Sequence, residues 1–199
     1  MLRIVLAVAL ALTVLVVLPW WLRSRRRRRE PAAQAGPLLR QKILSRAFLA
    51  DFPPGTPGAP RCVIMDWNVS GGVATLAAFD DGSVSLYLSS GGGIIGAGAH
   101  DNVARAAVPF REEAQRLLSH MSPVTTFPPP ARNHAVIFYV VTDSTTLSSG
   151  EMDGATARSG DPFAVLQQKA QALMTEVRRA SLRPRTMSPI EKQDPTEPL

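Results

Sequence analysis

Residues Ile4 to Leu22 read IVLAVALALTVLVVLPWWL, a run of 19 residues without a charge. As a helix rising about 1.5 Å per residue it spans roughly 28 Å, close to the hydrocarbon thickness of a bilayer. Trp20 and Trp21 close the run at the level where amphipathic rings settle among headgroups, and Pro19 falls in the last turn, where it costs little. This segment constrains the chain more than any other. It predicts a retained transmembrane anchor with one soluble domain behind it. A cleaved signal peptide fits less well, because the apolar run exceeds the usual ~7–15 residues and Trp-Trp-Leu-Arg is a poor cleavage site.

Orientation follows from the basic residues just after the span. Arg23, Arg25, Arg26, Arg27, Arg28 and Arg29 form a collar, whereas only Arg3 precedes the run. The positive-inside rule then puts the carboxyl-terminal side in the cytoplasm. The collar and the two tryptophans are the residues expected to contact lipid headgroups. A bacterial inner membrane is expected from the Ala/Arg/Pro/Gly-rich style of the chain. The same collar explains the net charge of +6 and the pI near 10.4. Removing these seven arginines from the 22 basic residues leaves 15 against 16 acidic ones. The remainder carries no basic stripe, which excludes nucleic acid as a main partner. The lipid bilayer and a protein partner at the membrane are the expected partners.

Cys62 is the only cysteine, so no intrachain disulfide forms, and His100, His120 and His134 are too scattered for a zinc site. No metal or cofactor is expected.

Behind the anchor (1–29), EPAAQAG makes a linker over 30–36 and a compact domain follows over 37–181. Leu39, Ile43, Leu44 and Ala47 recur at helical spacing within 37–50. The four prolines of 51–60 end that helix. RCVIMDWNV (61–69), GVATLAAF (72–79) and SVSLYL (83–88) have strand character, joined by VSGG and DDG turns, and predict an antiparallel meander. A helix is expected over 100–121, kinked or divided at Pro109, then a proline-rich loop over 122–132. HAVIFYVVT (134–142), apolar on both faces, reads as a central strand. Residues 143–160 read as a long exposed loop. Asp161-Pro162 opens a helix to about Ser181, and the tail 182–199 is expected to be disordered. The expected class is α+β: an antiparallel sheet of at least four strands with helices on one face.

The stretch SSGGGIIGAG at 89–98 gives Gly91, Gly93 and Gly96 the spacing G-x-G-x-x-G. A dinucleotide site would need this spacing inside a βαβ unit with an acid closing the next parallel strand. Here the glycines follow a hairpin meander, and Glu112 and Glu113 fall inside a helix. A P-loop is excluded because Gly96 is followed by Ala97-Gly98. Two readings remain. Backbone N–H groups before a helix suit an anion, with Ser89 and Ser90 adding hydroxyls. Alternatively, glycine lets the following helix cross close to the sheet. Ser89, Ser90, Gly91, Gly92, Gly93, Gly96 and Gly98 are therefore the candidate ligand-binding residues. LSSG recurs at 88–91 and 147–150, which would place two serine pairs at one end of the sheet if their strands were neighbours.

Candidates for chemistry are few. Asp66, Asp80, Asp81 and Asp143 lie in or beside strands, where two close carboxylates would do acid–base work. Asp80-Asp81-Gly82, however, reads as a turn and Asp66 as a solvent-side strand residue. His100 beside Asp101 reads as helix-start capping and Trp67 as packing. Cys62 has no histidine partner in sequence, and neither G-x-S-x-G nor HExxH occurs. The sequence thus points to a non-enzymatic docking or sensing module at a membrane, with a small-molecule- or phosphate-binding domain that uses 89–98, either a plain binder or an enzyme, as the alternative.

Overall fold

The computed structural model describes residues 36–70, 72–154 and 160–182. The expected span, its arginine collar and the carboxyl-terminal tail lie outside them. Among the described residues no helix is long and apolar enough to cross a membrane.

The first described residues form helix α1 (36–44), followed by a 3-10 turn at Ala47–Asp51. Strands β1 (Cys62–Val69), β2 (Gly72–Phe79), β3 (Val84–Leu88) and β4 (Gly93–Ile94) precede helix α2 (Asp101–Arg116). Then come β5 (Ser122–Val124), β6 (Ala135–Val141), β7 (Thr146–Asp153) and helix α3 (Ala164–Leu182). The seven strands form one sheet in the order β4-β3-β2-β1-β6-β7-β5, every neighbouring pair antiparallel. The fold is α+β, as the pattern of elements implies.

The predicted meander forms at the predicted places. Val63 pairs with Ala78 across β1–β2, and Leu76 with Leu86 across β2–β3. The DDG turn closes because Asp81 Oδ1 accepts from the Ser83 amide at 2.8 Å while Gly82 takes φ 87°.

Helices on one face only is the expectation that needs correcting. Val63, Met65, Leu76, Val84 and Phe138 pack under α2 and α3. Ile64, Tyr87, Ile137 and Tyr139 point the other way and pack with Ile43 and Leu44 of α1 and with Phe48. Successive strand residues face opposite sides. Because all seven residues of β6 and the first five of β1 are buried, both faces must be covered. The sheet is therefore the middle of three layers.

The exposed loop expected over 143–160 contains β7, and the proline-rich loop contains β5. Ser, Thr and Gly conceal β7, whose pairing with β6 shifts register between Ile137 and Tyr139. Ser149 Oγ accepts from the Phe138 amide at 3.0 Å across that irregularity. Pro123 is tolerated in β5 because that strand is an edge of the sheet. Pro109 does not divide α2, which runs unbroken past it with Val103, Ala107, Phe110 and Ala114 buried. Asp161 does serve the start of α3: its Oδ1 accepts from the Phe163 amide at 2.8 Å and its carbonyl from Ala164.

Candidate functional site

The glycine stretch is a turn and a crossover. Ser89 extends the β2–β3 pairing, its amide donating to the Val73 carbonyl and its Oγ accepting from the Val73 amide, both at 2.8 Å. Gly91 and Gly92 take φ 98° and 84° in the turn to β4, where the Gly91 amide donates to Leu88 and the Leu88 amide to Gly92. Gly93 lies in β4 and Gly96 starts the short helical turn Ala97–Ala99. A Cβ at Gly98 would collide with the Gly82 carbonyl, so the crossover presses directly on the β2–β3 turn. Ser90 is exposed. The amides of Ser89 and Gly91 are directed into the chain, leaving a weaker anion cradle than the spacing suggests. The second LSSG lies in β7, separated from β3 by three strands, so the two serine pairs do not meet.

Ser89 nevertheless reaches a cavity. A space of about 300 Å³ opens where α1 meets β2 and β3, lined by Arg40, Gln41, Val73, Thr75, Leu88 and Ser89 among others. It lies on the α1 face of the sheet. A second, more polar cleft of about 410 Å³ lies between the end of α1 and the β6–β7 turn and includes Ser45, Arg46 and Thr145.

Beside the first cavity runs a buried polar network that the sequence concealed. Asp66 is fully buried rather than solvent-facing. Arg40 Nε donates to Asp66 Oδ2 at 2.7 Å and Nη2 lies 2.6 Å from the same oxygen. Thr75 Oγ1 donates to Asp66 Oδ1 at 2.6 Å. Arg40 Nη1 also donates to the Phe127 carbonyl at 2.9 Å, and its guanidinium sits 5.6 Å from the centre of the Tyr139 ring. Tyr139 in turn donates to the Pro128 carbonyl at 2.7 Å. Burial pushes the Asp66 carboxyl above its usual range, and Arg40 and Thr75 only partly offset that. The network fastens α1 and the proline-rich loop to the sheet.

Asp80 and Asp143 do come together, around a cation. Arg61, 3 % exposed, places Nε 2.7 Å from Asp80 and Nη1 3.0 Å from Asp143, and its Nη2 donates to the Pro53 carbonyl. A guanidinium between the two carboxylates clamps three loops and keeps the acids on opposite sides of a cation. Asp81 is engaged in its turn. His100 occupies the position before α2, but its side chain makes no capping bond; its carbonyl accepts from Val103 and Ala104. Cys62 is buried, and burial pushes its thiol pKa well up. Trp67 packs against the α2–α3 core. Among the described residues no group of three or more His, Cys, Asp or Glu could hold a metal ion.

Compared with family models, with curated proteins and with solved structures, the chain gives no match.

Proposed function

We propose that the chain is a single-pass membrane protein whose α+β domain acts as a non-enzymatic docking or sensing module on the cytoplasmic side. The observation that carries the reading is the fastening of α1. This helix directly follows the linker, and Arg40 joins it to the middle of the sheet through Asp66. A further bond ties its last turn to β7, Thr146 Oγ1 donating to the Leu44 carbonyl at 2.9 Å. A tether arriving at Gly36 therefore connects to the rigid part of the domain. With six residues between Arg29 and Gly36, Gly36 at the cavity stays within about 25 Å of Arg29. A reporter fused after Leu199 tests the topology: cytoplasmic activity is expected, and activity on the exported side contradicts the reading.

A second reading, small-molecule binding through 89–98, is favoured by one contact, the presence of Ser89 in the cavity wall. Replacing Gly93 and Gly96 separates the two. Loss of a bound molecule with the fold intact supports ligand binding by the stretch itself, and unfolding shows that the close approach at Gly93 and the positive φ at Gly96 require glycine.

A further inference from the structure

The cavity has a chemical character of its own. Its volume of about 300 Å³ lies at the small end of the range for ligand sites. Val73, Pro37 and the Tyr87 ring give it apolar walls, and Leu88 borders it through its backbone. Thr75 and Tyr87 are buried and form its inner part, whereas Gln41 and Ser89 are exposed and belong to its rim. The rim is polar and has capacity to spare. Ser89 Oγ accepts from the Val73 amide, yet its hydroxyl donates to no other described residue. The Gln41 amide group likewise has no described partner.

Charge narrows the choice. Arg40 lines the cavity, but its guanidinium already faces the buried Asp66 carboxylate and the Phe127 carbonyl. The pair is locally neutral. An anionic head placed here would meet a cation that is already compensated and would lose its hydration in return. A neutral head loses much less and still finds a donor and an acceptor at the rim.

We propose that this cavity binds a neutral medium-chain amphiphile, with its tail against Val73, Pro37 and Tyr87 and a hydroxyl, ester or amide head at Gln41 and Ser89. The volume suits a tail of about ten carbons, taking a methylene as about the 30 Å³ that a water molecule occupies in the liquid. The proposal rests on the sensing reading of the domain and is independent of the membrane span. The occupant it must exclude is the chain itself, since Gly36 and Pro37 line the cavity and residues 30–35 lead into them.

The test is photolabelling of the full chain in phospholipid nanodiscs, followed by peptide mapping. Three diazirine probes are compared: 1-decanol, decanoate and a phospholipid labelled in its acyl chain. The decanol probe is expected to label peptides covering 36–44 and 73–89, with decanoate about tenfold weaker. Val73→Trp, which fills the cavity, should cut decanol labelling about tenfold. Pro37→Trp, at an exposed lining position, gives the same readout if the first variant fails to fold. Labelling of the same peptides by decanol and not by the phospholipid supports a separate neutral ligand, whereas equal labelling by the phospholipid, whose head is charged and whose chains are longer, counts against the proposal. Four further results overturn it: labels confined to residues outside the cavity, equal labelling by decanoate, no effect of either tryptophan, or cavity labelling that appears only after residues 30–35 are deleted. Conversion of the decanol probe to a new mass would instead overturn the non-enzymatic reading.

Discussion

Arg40 of α1 and Asp66 of β1, 26 residues apart in sequence, meet at 2.6 Å in an ion pair whose acid is fully buried. The pair joins the layer that α1 forms to the centre of the sheet. Arg40→Met leaves the Asp66 charge buried with Thr75 as its remaining partner, and should destabilise the domain by about 3–5 kcal/mol. Urea unfolding measures this. The triple replacement Arg40→Met, Asp66→Leu, Thr75→Val removes every member and should recover most of the loss. Failure of the triple variant to recover would show that the network adds net stability.

The Asp66 carboxyl supplies a pH dependence whose sign is fixed. Its folded pKa is raised, burial being the largest cause, so the folded state holds its proton at a pH where the unfolded chain has released it. Its contribution to stability is complete below the unfolded value, about pH 4, and is lost as pH rises through the folded value. Between these limits the wild type should lose stability relative to Asp66→Asn. A relative gain with rising pH would mean that Arg40 and Thr75 outweigh burial.

Gly98 and Gly96 separate close packing from backbone conformation. At Gly98 a Cβ meets the Gly82 carbonyl, which is backbone and cannot swing aside. Gly98→Ala should cost about 1–3 kcal/mol by overpacking. At Gly96 there is open space but φ is 72°, so Gly96→Ala should cost about 1–2 kcal/mol through strain alone. Thermal unfolding of both variants checks the values. A neutral Gly98→Ala would remove the packing explanation for the crossover.

Much of the domain was legible because its signals are local. Alternation in SVSLYL and glycine at Gly82 specify a hairpin over neighbouring residues, and the α2 stripe from Val103 to Ala114 survives Pro109. What escaped depends on distant partners. Asp66 reads as solvent-facing because nothing near it in sequence reveals Arg40, which reaches it from another layer. β7 hides in a Ser/Thr-rich stretch because β6 on one side and the edge strand β5 on the other supply its pairing. Ser89 stands out in the sequence for its place among glycines, but the cavity it joins is formed with α1 and β2. The double burial of β6, all seven residues, was visible in HAVIFYVVT and was the available sign of a third layer.

Cys62 reports on opening of the sheet. It is 1 % exposed in β1, and burial and the neighbouring Asp80 hold its thiol above the ordinary range. At pH 8 a thiol reagent should modify the native protein only as fast as the strand opens, and denaturant should raise the rate to that of an unstructured thiol. Rapid native modification would contradict the packing of β1.

The central claim, a domain tethered to a bilayer through the segment preceding α1, is tested most directly by vesicle flotation. The full chain and a form lacking residues 1–29 are reconstituted with vesicles containing anionic lipid, then floated in alkaline carbonate at high salt. The account predicts that the full chain rises with the vesicles while the shortened form stays at the bottom. A full chain that stays at the bottom, or a shortened form that rises equally well, contradicts it.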